Sequence, residues 1–350
     1  MTLPTCHSRR LLPVERGTYF CAHPLVASAD QLVTEEICRL CDFWHQPPPV
    51  KFRPFDPFGR NLPRTGPCLH LGDRIDWKDC ATCGGHVRIK VFQCSHIAHD
   101  RTTIDDCHFC GDYETPLERG TVHTWAIGVT TAPRPDPTLE RTLVSLVDAG
   151  WSDAQLFAEP GSTIPPRFAS FPATVRHTRL GAFPNWYLGL AQLVMSAPDA
   201  DAYFLCQDDV LFSRGLRAYL ETHLWPERRL GVISVYCPSH YARNRPAGFY
   251  AEDHGRETWG ALAYIFPNAS ARAFLADPQV VNHRLRQPGG NHQVDSLVGQ
   301  WCRTRRLPYL VHEPSLAQHI GDASTVFPGV SNSGRRRAEG FAEEVNSVNR

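Results

Sequence analysis

The sequence lacks three features that would each point to a class of protein. It has no apolar run near the roughly 20 residues that a helix needs to cross a bilayer. Its first ten residues have no apolar core of the kind found in secretion signals. Charge of one sign is also missing, since 36 basic residues balance 36 acidic ones. We therefore expect a cytoplasmic protein with no transmembrane segment, and the balanced charge gives no reason to expect a nucleic-acid partner.

Cysteines, in contrast, are numerous and unevenly placed. Ten of the 13 lie before residue 111. In a chain without an export signal, such clustering favours metal binding over disulfides. Two cysteines separated by two residues in a tight turn can hold one tetrahedral ion, and two such turns complete its ligand set. Three pairs have this spacing: Cys38/Cys41, Cys80/Cys83 and Cys107/Cys110.

These pairs predict that residues 1–117 form a small, zinc-ribbon-like, Cys-rich module. We assign one zinc site to Cys80, Cys83, Cys107 and Cys110, and a second set to Cys38 and Cys41. Two further cysteines lie close enough in sequence to contribute to either site, namely Cys68 and Cys94. Four thiolates also suit an iron–sulfur cluster, and buried cysteines without metal are a third possibility.

From residue 122 to about 330 the pattern changes to an alternation of strands and helices. Strand-type segments occupy 124–130, 155–158, 173–177, 202–206, 230–236, 260–266 and 308–311. Helical spacing occupies 138–149, 185–196, 215–223 and 294–305. This alternation predicts an α/β domain with a mostly parallel sheet and crossover helices. Residues 331–350 are polar and charged, and we expect them to form a solvated, flexible tail.

Two adjacent carboxylates end the apolar strand 202–206. Asp208 and Asp209 follow it directly, and ligands of open α/β sheets bind at the carboxyl ends of strands. Because two neighbouring carboxylates repel each other, the pair favours a cation. The alternative is a polar turn in which an aspartate caps the next helix.

Three segments in this order resemble the GT-A-fold glycosyltransferases, which use nucleotide-diphosphate sugars. Gln207-Asp208-Asp209-Val210 resembles the family's acidic metal-binding motif, although Gln207 stands where the first acid often occurs. The segment 291–297 resembles the one that carries the catalytic base, and 314–321 with Ser324 resembles the C-terminal segment whose histidine meets the metal or diphosphate.

The resemblance implies roles for individual residues. Asp208, Asp209 and His319 would hold Mn²⁺ or Mg²⁺, and Asp295 would deprotonate the acceptor. The alternatives are an N-cap or a first-turn acid that interacts with the helix dipole for Asp295, and a partly buried structural histidine for His319. We expect the nucleotide-sugar donor beside Thr130, Thr131, Arg134, Asn185 and Trp259. An ordinary loop, a helix cap and a core tryptophan are the alternatives for these five.

The sequence thus predicts a metal-dependent glycosyltransferase that acts on a glycan, a lipid-linked or a protein acceptor, with inversion. The long polar segment 237–257 is expected near the acceptor. A different class is a zinc-knuckle binding protein, for nucleic acid or a protein partner, with a non-catalytic α/β scaffold. A nucleotidyltransferase would need a Gly-rich phosphate loop after the first strand. Residues 131–137 contain three prolines and no glycine, which argues against it.

Overall fold

A computed structural model describes most of the chain from residue 116 onwards and several strands before it. The described residues are 9–11, 18–21, 32–34, 71–79, 86–94, 99–102, 116–255, 258–285, 293–322, 336–338 and 340–345. The chain forms two compact units, one made of residues 1–55 with 109–113 and the other of residues 56–108 with 114–350.

The described part of the first unit is a small antiparallel sheet. Its strands are β1 (Arg9–Leu11), β2 (Thr18–Cys21) and β3 (Leu32–Thr34), with β2 in the middle. The second unit begins with another antiparallel sheet, made of β4 (Leu71–Asp79), β5 (His86–Cys94) and β6 (His99–Thr102). In it, β4 and β5 pair over nine residues, from Leu71 opposite Cys94 to Asp79 opposite His86.

An eight-stranded sheet forms the centre of the described residues after 116. Its strands are β7 (Trp125–Thr131), β8 (Gln155–Ala158), β9 (Ala173–Val175), β10 (Ala202–Gln207), β12 (Val232–Ser234), β13 (Gly248–Ala251), β14 (Ala263–Pro267) and β15 (Tyr309–Glu313). They are ordered β9-β8-β7-β10-β14-β12-β15-β13, and all but β13 and β14 run in the same direction. The predicted α/β domain with a mostly parallel sheet is thus confirmed at this level.

A second, two-stranded sheet lies beside the acidic turn. Its strands are β11 (Val210–Phe212) and β16 (Ala317–His319), paired antiparallel with Val210 opposite His319. The pairing brings the segment after Glu313 back to the residues that directly follow β10.

Helices cover both faces of the large sheet. Within the described residues they are α1 (Leu139–Asp148), α2 (Ala182–Ser196), α3 (Leu216–His223), α4 (Asn268–Ala276), α5 (Pro278–Leu285) and α6 (Val294–Arg305), with a 3₁₀ turn at Pro166–Phe168. Side chains alternate along β10. Phe204 and Cys206 join the core with α1 and α3, whereas Tyr203 and Leu205 join the core with α2, α4 and α6. Each buried large apolar side chain of this kind stabilises the fold by about 1.5–3 kcal/mol.

The order of the strands locates the point where a ligand can enter. The chain runs outward from β7 to β8 and β9, then returns to form β10 on the other side of β7. The crevice outside the carboxyl ends of β7 and β10 is therefore a topological switch point, where open α/β sheets bind ligands.

The structure also contains elements that the sequence pattern did not indicate. Helices α4 and α5 fill residues 268–285, and β13 adds an edge strand. Residues 336–338 and 340–345, expected as a solvated tail, lie against the domain instead. The amide of Ala342 donates to the carbonyl of Ser315, and Ala338 and Val345 are buried.

Candidate functional site

The acidic turn after β10 is held in place by helix α1. The Thr142 hydroxyl donates to the Asp208 carbonyl (2.8 Å), and the Val210 amide donates back to the same hydroxyl (3.2 Å). The Ser145 hydroxyl accepts from the Phe212 amide (3.3 Å). Because Thr142 is buried in the helix that follows β7, the position of the acidic backbone depends on the packing of α1 against the sheet.

Both carboxylates of this turn contact the end of β7 or the loop that follows it. Asp208 accepts from the Thr131 hydroxyl and from Nη2 of Arg134. Asp209 Oδ2 accepts from Nη1 of Arg134 at 2.9 Å. Thr130 lies one residue earlier, and its hydroxyl donates to the Cys206 carbonyl (3.2 Å), which ties β7 to β10. Two of the residues predicted beside the donor, Thr131 and Arg134, therefore contact the acidic pair, and Arg134 bridges its two carboxylates.

His319 approaches the same pair from β16. Its Nε2 lies 3.2 Å from Asp209 Oδ2, and the Ile320 amide donates to the Asp209 carbonyl (2.9 Å). The next residue is glycine for a steric reason, since a Cβ built on Gly321 would lie 2.6 Å from Asp209 Oδ2. The chain at 319–321 thus passes directly over the buried carboxylate.

The electrostatic environments of the two carboxylates differ. Burial raises the pKa of Asp208 above its usual range; the charge of Asp209 adds to this rise, and that of Arg134 opposes it. Burial acts on Asp209 in the same direction. There, however, the hydrogen bond from His319 and the charge of Arg134 outweigh burial and hold the pKa of Asp209 below its usual range. One member of the pair is therefore a firmly ionised carboxylate.

These side chains supply oxygen and nitrogen atoms of the kind that bind a divalent cation. Two carboxylates and an imidazole lie together at this turn. Asp209 is only 7% exposed, and its Oδ1 is buried without a hydrogen-bond partner. A buried carboxylate oxygen without a partner is costly unless a cation or donor reaches it. Arg134, however, already holds one oxygen of each carboxylate. In the described part of the chain, no three His, Cys, Asp or Glu side chains form a set that could hold a metal ion.

A second acidic position lies on α6, near the start of β14. Asp295 is in the first turn of the helix, but its carboxylate does not cap it. Oδ1 accepts from the amide of Gly260 at 2.9 Å and from that of Ala261. Burial raises the pKa of Asp295, and the hydrogen bonds from Ala261 and Gly260 limit the rise. Asp295 is therefore a carboxylate held mainly by backbone amides.

Aromatic side chains line the surroundings of Asp295. Trp259 directly precedes the two amides that Asp295 accepts from, and its ring packs edge-on against the His240 ring at 4.7 Å between centroids. The Tyr241 hydroxyl accepts from the Trp259 amide (2.8 Å). The loop after β12 thus lies beside Asp295, where the acceptor is expected.

Tyr236 and Arg336 connect this position with the acidic pair. The Tyr236 hydroxyl donates to the Arg336 carbonyl, and the Arg336 guanidinium lies 5.6 Å from the centre of the Trp259 ring. Burial raises the pKa of the Tyr236 hydroxyl, and the charges of Asp295 and, more weakly, Asp209 act in the same direction. Tyr236 therefore lies within electrostatic range of both acidic positions.

Asn185 lies apart from these groups and has structural partners. It is buried inside α2 rather than at its cap, its Nδ2 donates to the Phe157 carbonyl (2.9 Å) and its Oδ1 accepts from Arg176 Nε (2.8 Å). Nearby Glu159, at the end of β8, accepts from the amides of Leu180 and Gly181, both at 2.9 Å. The alternative interpretation of Asn185 as a helix cap is wrong, because the helix begins three residues earlier; its expected place beside the donor stays a prediction.

Most of the predicted zinc ligands lie outside the described residues. They are Cys38, Cys41, Cys68, Cys80, Cys83, Cys107 and Cys110. Cys94, at the end of β5, is described as a half-buried free cysteine. The zinc sites therefore remain predictions from the spacing of the sequence.

Several residues of the site carry no sequence signal that would have identified them. Thr142 and Tyr236 are single polar residues within a helical and an apolar segment, and Arg336 stands in a run of three arginines. Only Gly321, inside the segment 314–321 that resembles the family, stood in a motif. The contribution of the others depends on the tertiary fold, which brings them to one edge of the sheet.

Comparison with known proteins gives little further information. No family model matches the chain, and no curated protein matches it. The solved structures that match include HddC from Yersinia pseudotuberculosis, crystallised in complex with GMP-PN. It is 10% identical, with a TM-score of 0.29, over 42% of this chain and 78% of that chain. A likeness at this level supports no inference about this chain. Among the described residues, none of the helices is both long and apolar enough to cross a membrane.

Proposed function

We propose that the chain is a glycosyltransferase that moves a sugar from a nucleotide-diphosphate donor to an acceptor hydroxyl with inversion. The observation that carries this proposal is the presence of two acidic positions at one edge of the sheet. Asp208 and Asp209 lie at the switch point beside cationic Arg134, and Asp295 is a separate carboxylate with a raised pKa. Titratable groups whose environments shift their pKa values in different directions are typical of acid–base chemistry.

The donor side is the crevice between the ends of β7 and β10. Arg134 is the cationic group there, and a guanidinium binds phosphate oxygens through two parallel N–H donors. Asp208, Asp209 and His319 are the residues that would hold a Mn²⁺ or Mg²⁺ ion. Such an ion, when bound, neutralises the charge that develops on a leaving diphosphate. We place the nucleotide beside Thr130 and Thr131.

The acceptor side is the region around Asp295 and Trp259. A half-buried indole next to an imidazole offers an apolar face with polar edges, which suits the ring of a sugar. The acceptor is therefore proposed to be a carbohydrate, whether free, lipid-linked or attached to protein. Charges of both signs lie in this region, among them Asp295 and Arg336, so a neutral acceptor fits better than an anionic polymer such as nucleic acid.

The reaction is a single displacement. The acceptor oxygen forms a bond to the anomeric carbon as the bond from that carbon to the diphosphate oxygen breaks, and the diphosphate leaves with the electron pair. The proton of the acceptor hydroxyl passes to Asp295. A carboxylate with a raised pKa takes this proton more readily than an ordinary aspartate. One displacement at the anomeric carbon inverts its configuration.

A thermal-shift screen tests the proposed function. UDP, GDP, CDP, ADP and dTDP are added one at a time to the full chain, with and without Mn²⁺. At about 100 times its dissociation constant, a ligand stabilises the folded state by about 2.7 kcal/mol. One nucleotide should raise the melting temperature by several degrees. Resident ions should be reduced by gel filtration rather than by a strong chelator, since a chelator would also remove structural zinc.

The outcome of the screen is decisive for the class of protein. Stabilisation by one nucleoside diphosphate supports a nucleotide-sugar enzyme and identifies the base. If none of the five binds at millimolar concentration, with or without Mn²⁺, the proposed function is wrong.

We also propose structural zinc in the N-terminal part of the chain, supported by the spacing of its cysteine pairs. Purified protein should contain at least one tightly bound zinc per chain, and Cys80→Ser should lower its content and the solubility of the protein. Elemental analysis that finds iron instead would favour a cluster, and analysis that finds neither metal would remove the proposal.

A further inference from the structure

The acidic pair has an incomplete set of partners, although a cation is already in place. Asp208 and Asp209 carry two negative charges, and Arg134 supplies one positive charge through two ion pairs. All three side chains are largely buried, with 11% of the Arg134 side chain exposed. Two atoms of this cluster, Asp209 Oδ1 and Arg134 Nε, are buried without a hydrogen-bond partner. Asp208, Asp209 and Arg134 together therefore carry a net negative charge, and one carboxylate oxygen, Asp209 Oδ1, has no donor.

The carboxylates are fixed in position, whereas the guanidinium is carried by an exposed loop. Thr142 and the amides of Val210 and Ile320 hold the backbone of the acidic turn. Arg134 sits between β7 and α1, where Pro133, Pro135, Asp136 and Pro137 are all exposed. If the ion pairs break, we expect Arg134 to move away rather than the carboxylates, because its loop is exposed and the acidic turn is held by hydrogen bonds.

We propose that Arg134 is a resident counter-ion that competes with the divalent cation for Asp208 and Asp209. When the ion binds, Arg134 leaves the pair and its guanidinium becomes available to the phosphates of the donor. The reason is electrostatic, because a guanidinium and a divalent ion that share the same carboxylate oxygens repel each other in a buried site. This inference rests on the proposed function, since it assigns Arg134 two successive partners within the donor site.

The competition makes an unusual prediction, namely that removal of a donor-site residue tightens metal binding. Arg134→Gln removes the charge and keeps a side chain that can donate. Its affinity for Mn²⁺ alone, measured by electron paramagnetic resonance at pH 7.5 without nucleotide, should be ~10-fold or more tighter than that of the wild type. Arg134→Lys keeps the charge and should bind Mn²⁺ about as the wild type does. Arg141→Gln, at an exposed position on α1, is the matched control.

A stability measurement covers the case in which Arg134→Gln folds less well. Without its counter-ion the acidic pair destabilises the ion-free protein, and Mn²⁺ restores it. The rise in melting temperature on addition of Mn²⁺ should therefore be larger for Arg134→Gln than for the wild type. In saturating Mn²⁺ the same variant should bind the nucleoside diphosphate found by the screen ~10-fold more weakly, because the phosphate ligand is missing.

The possible results separate this inference from the proposed function. Unchanged or weaker Mn²⁺ binding by Arg134→Gln overturns the competition, and unchanged diphosphate affinity overturns the transfer of Arg134 to the phosphates. If no variant binds Mn²⁺ at millimolar concentration while a nucleoside diphosphate still binds, the inference is wrong and the proposed function stands. If neither ligand binds, both are wrong.

Discussion

Two acidic positions at the same edge of the sheet hold their charge in different ways. Asp209 is paired with side chains that can be positive, Arg134 and His319, and its pKa is held below the usual range. Asp295 accepts from backbone amides, and its pKa is raised. A carboxylate of the first kind remains charged and attracts cations, whereas one of the second kind can accept a proton. The difference is the reason why we propose cation binding for the first position and proton transfer for the second.

The sharpest test of this comparison is Asp295→Asn, which keeps the size of the side chain but cannot accept the proton. The rate of sugar transfer should fall by ~10²–10⁴-fold, the usual contribution of a positioned general base. Donor binding should hardly change, since we propose that Asp295 acts on the acceptor. Single-turnover transfer at saturating donor measures the effect, with Asp148→Asn, an exposed acid on α1, as control. A rate within a few-fold of the wild type would contradict the assignment of Asp295 as the general base.

The opposite pattern is expected for Asp209→Asn. Loss of a charged ligand should weaken Mn²⁺-dependent binding of the nucleoside diphosphate by ~100-fold or more, since even groups that only support metal ligands contribute 10–100-fold. The exposed Asp136→Asn, in the same loop as Arg134, is the control. Calorimetry that shows unchanged binding of Mn²⁺ and nucleotide to Asp209→Asn would contradict the binding role of this position.

A change at Trp259 tests whether the region around Asp295 binds the acceptor, as we propose. Trp259→Ala removes an apolar face beside Asp295, and a loss of about 1.4 kcal/mol of contact energy would raise the KM for acceptor ~10-fold. The affinity for donor should stay the same, and Trp259→Phe should show a smaller effect because it keeps a ring. An equal loss of donor and acceptor affinity would show instead that the tryptophan supports the whole site.

The raised pKa of Asp295 has a consequence for pH dependence and stability. A base must be deprotonated, so the rate should fall as the pH drops through a value above the usual range of aspartate. A group with a raised pKa in the folded state contributes stability below its unfolded pKa, and this contribution is lost as the pH rises through the folded value. At pH 7, Asp295→Asn should therefore melt no lower than the wild type. A clear decrease in melting temperature would mean that the carboxylate stabilises the fold.

The main elements of the fold could be predicted from the sequence where burial is strong. The ends of β8 (155–158) and α6 (294–305) agree with the predicted spans, because short apolar runs and helical spacing are bounded there by polar residues. Helices α4 and α5 were missed, although α4 has apolar residues at helical spacing and α5 starts with a proline. Both helices are short, of nine and eight residues, which leaves few turns in which a helical pattern can repeat.

The site was predictable in its residue types but not in its contacts. The acidic pair and Asp295 could be identified from their positions relative to the predicted strands and helices. The bridge from Arg134 depends on a loop with three prolines and no periodicity, so its direction cannot be derived from the pattern. Asp295 is held by the amides of Gly260 and Ala261, and every residue other than proline has such an amide. Residue 260 is glycine for a separate steric reason, since a Cβ there would lie 2.1 Å from the Tyr309 hydroxyl oxygen.

The packing of residues 336–338 and 340–345 against the domain has a kinetic consequence. The Ser213 hydroxyl donates to the Ala342 carbonyl across 129 residues, and that of Tyr236 donates to the Arg336 carbonyl across 100. Each doubling of a closed loop costs only about 0.6 kcal/mol more, but contacts so distant in sequence slow folding. We expect this segment to dock after the sheet has formed. Val345→Ala should then speed unfolding and leave the folding rate nearly unchanged in stopped-flow experiments. The segment would therefore determine how long the domain stays folded rather than how fast it folds.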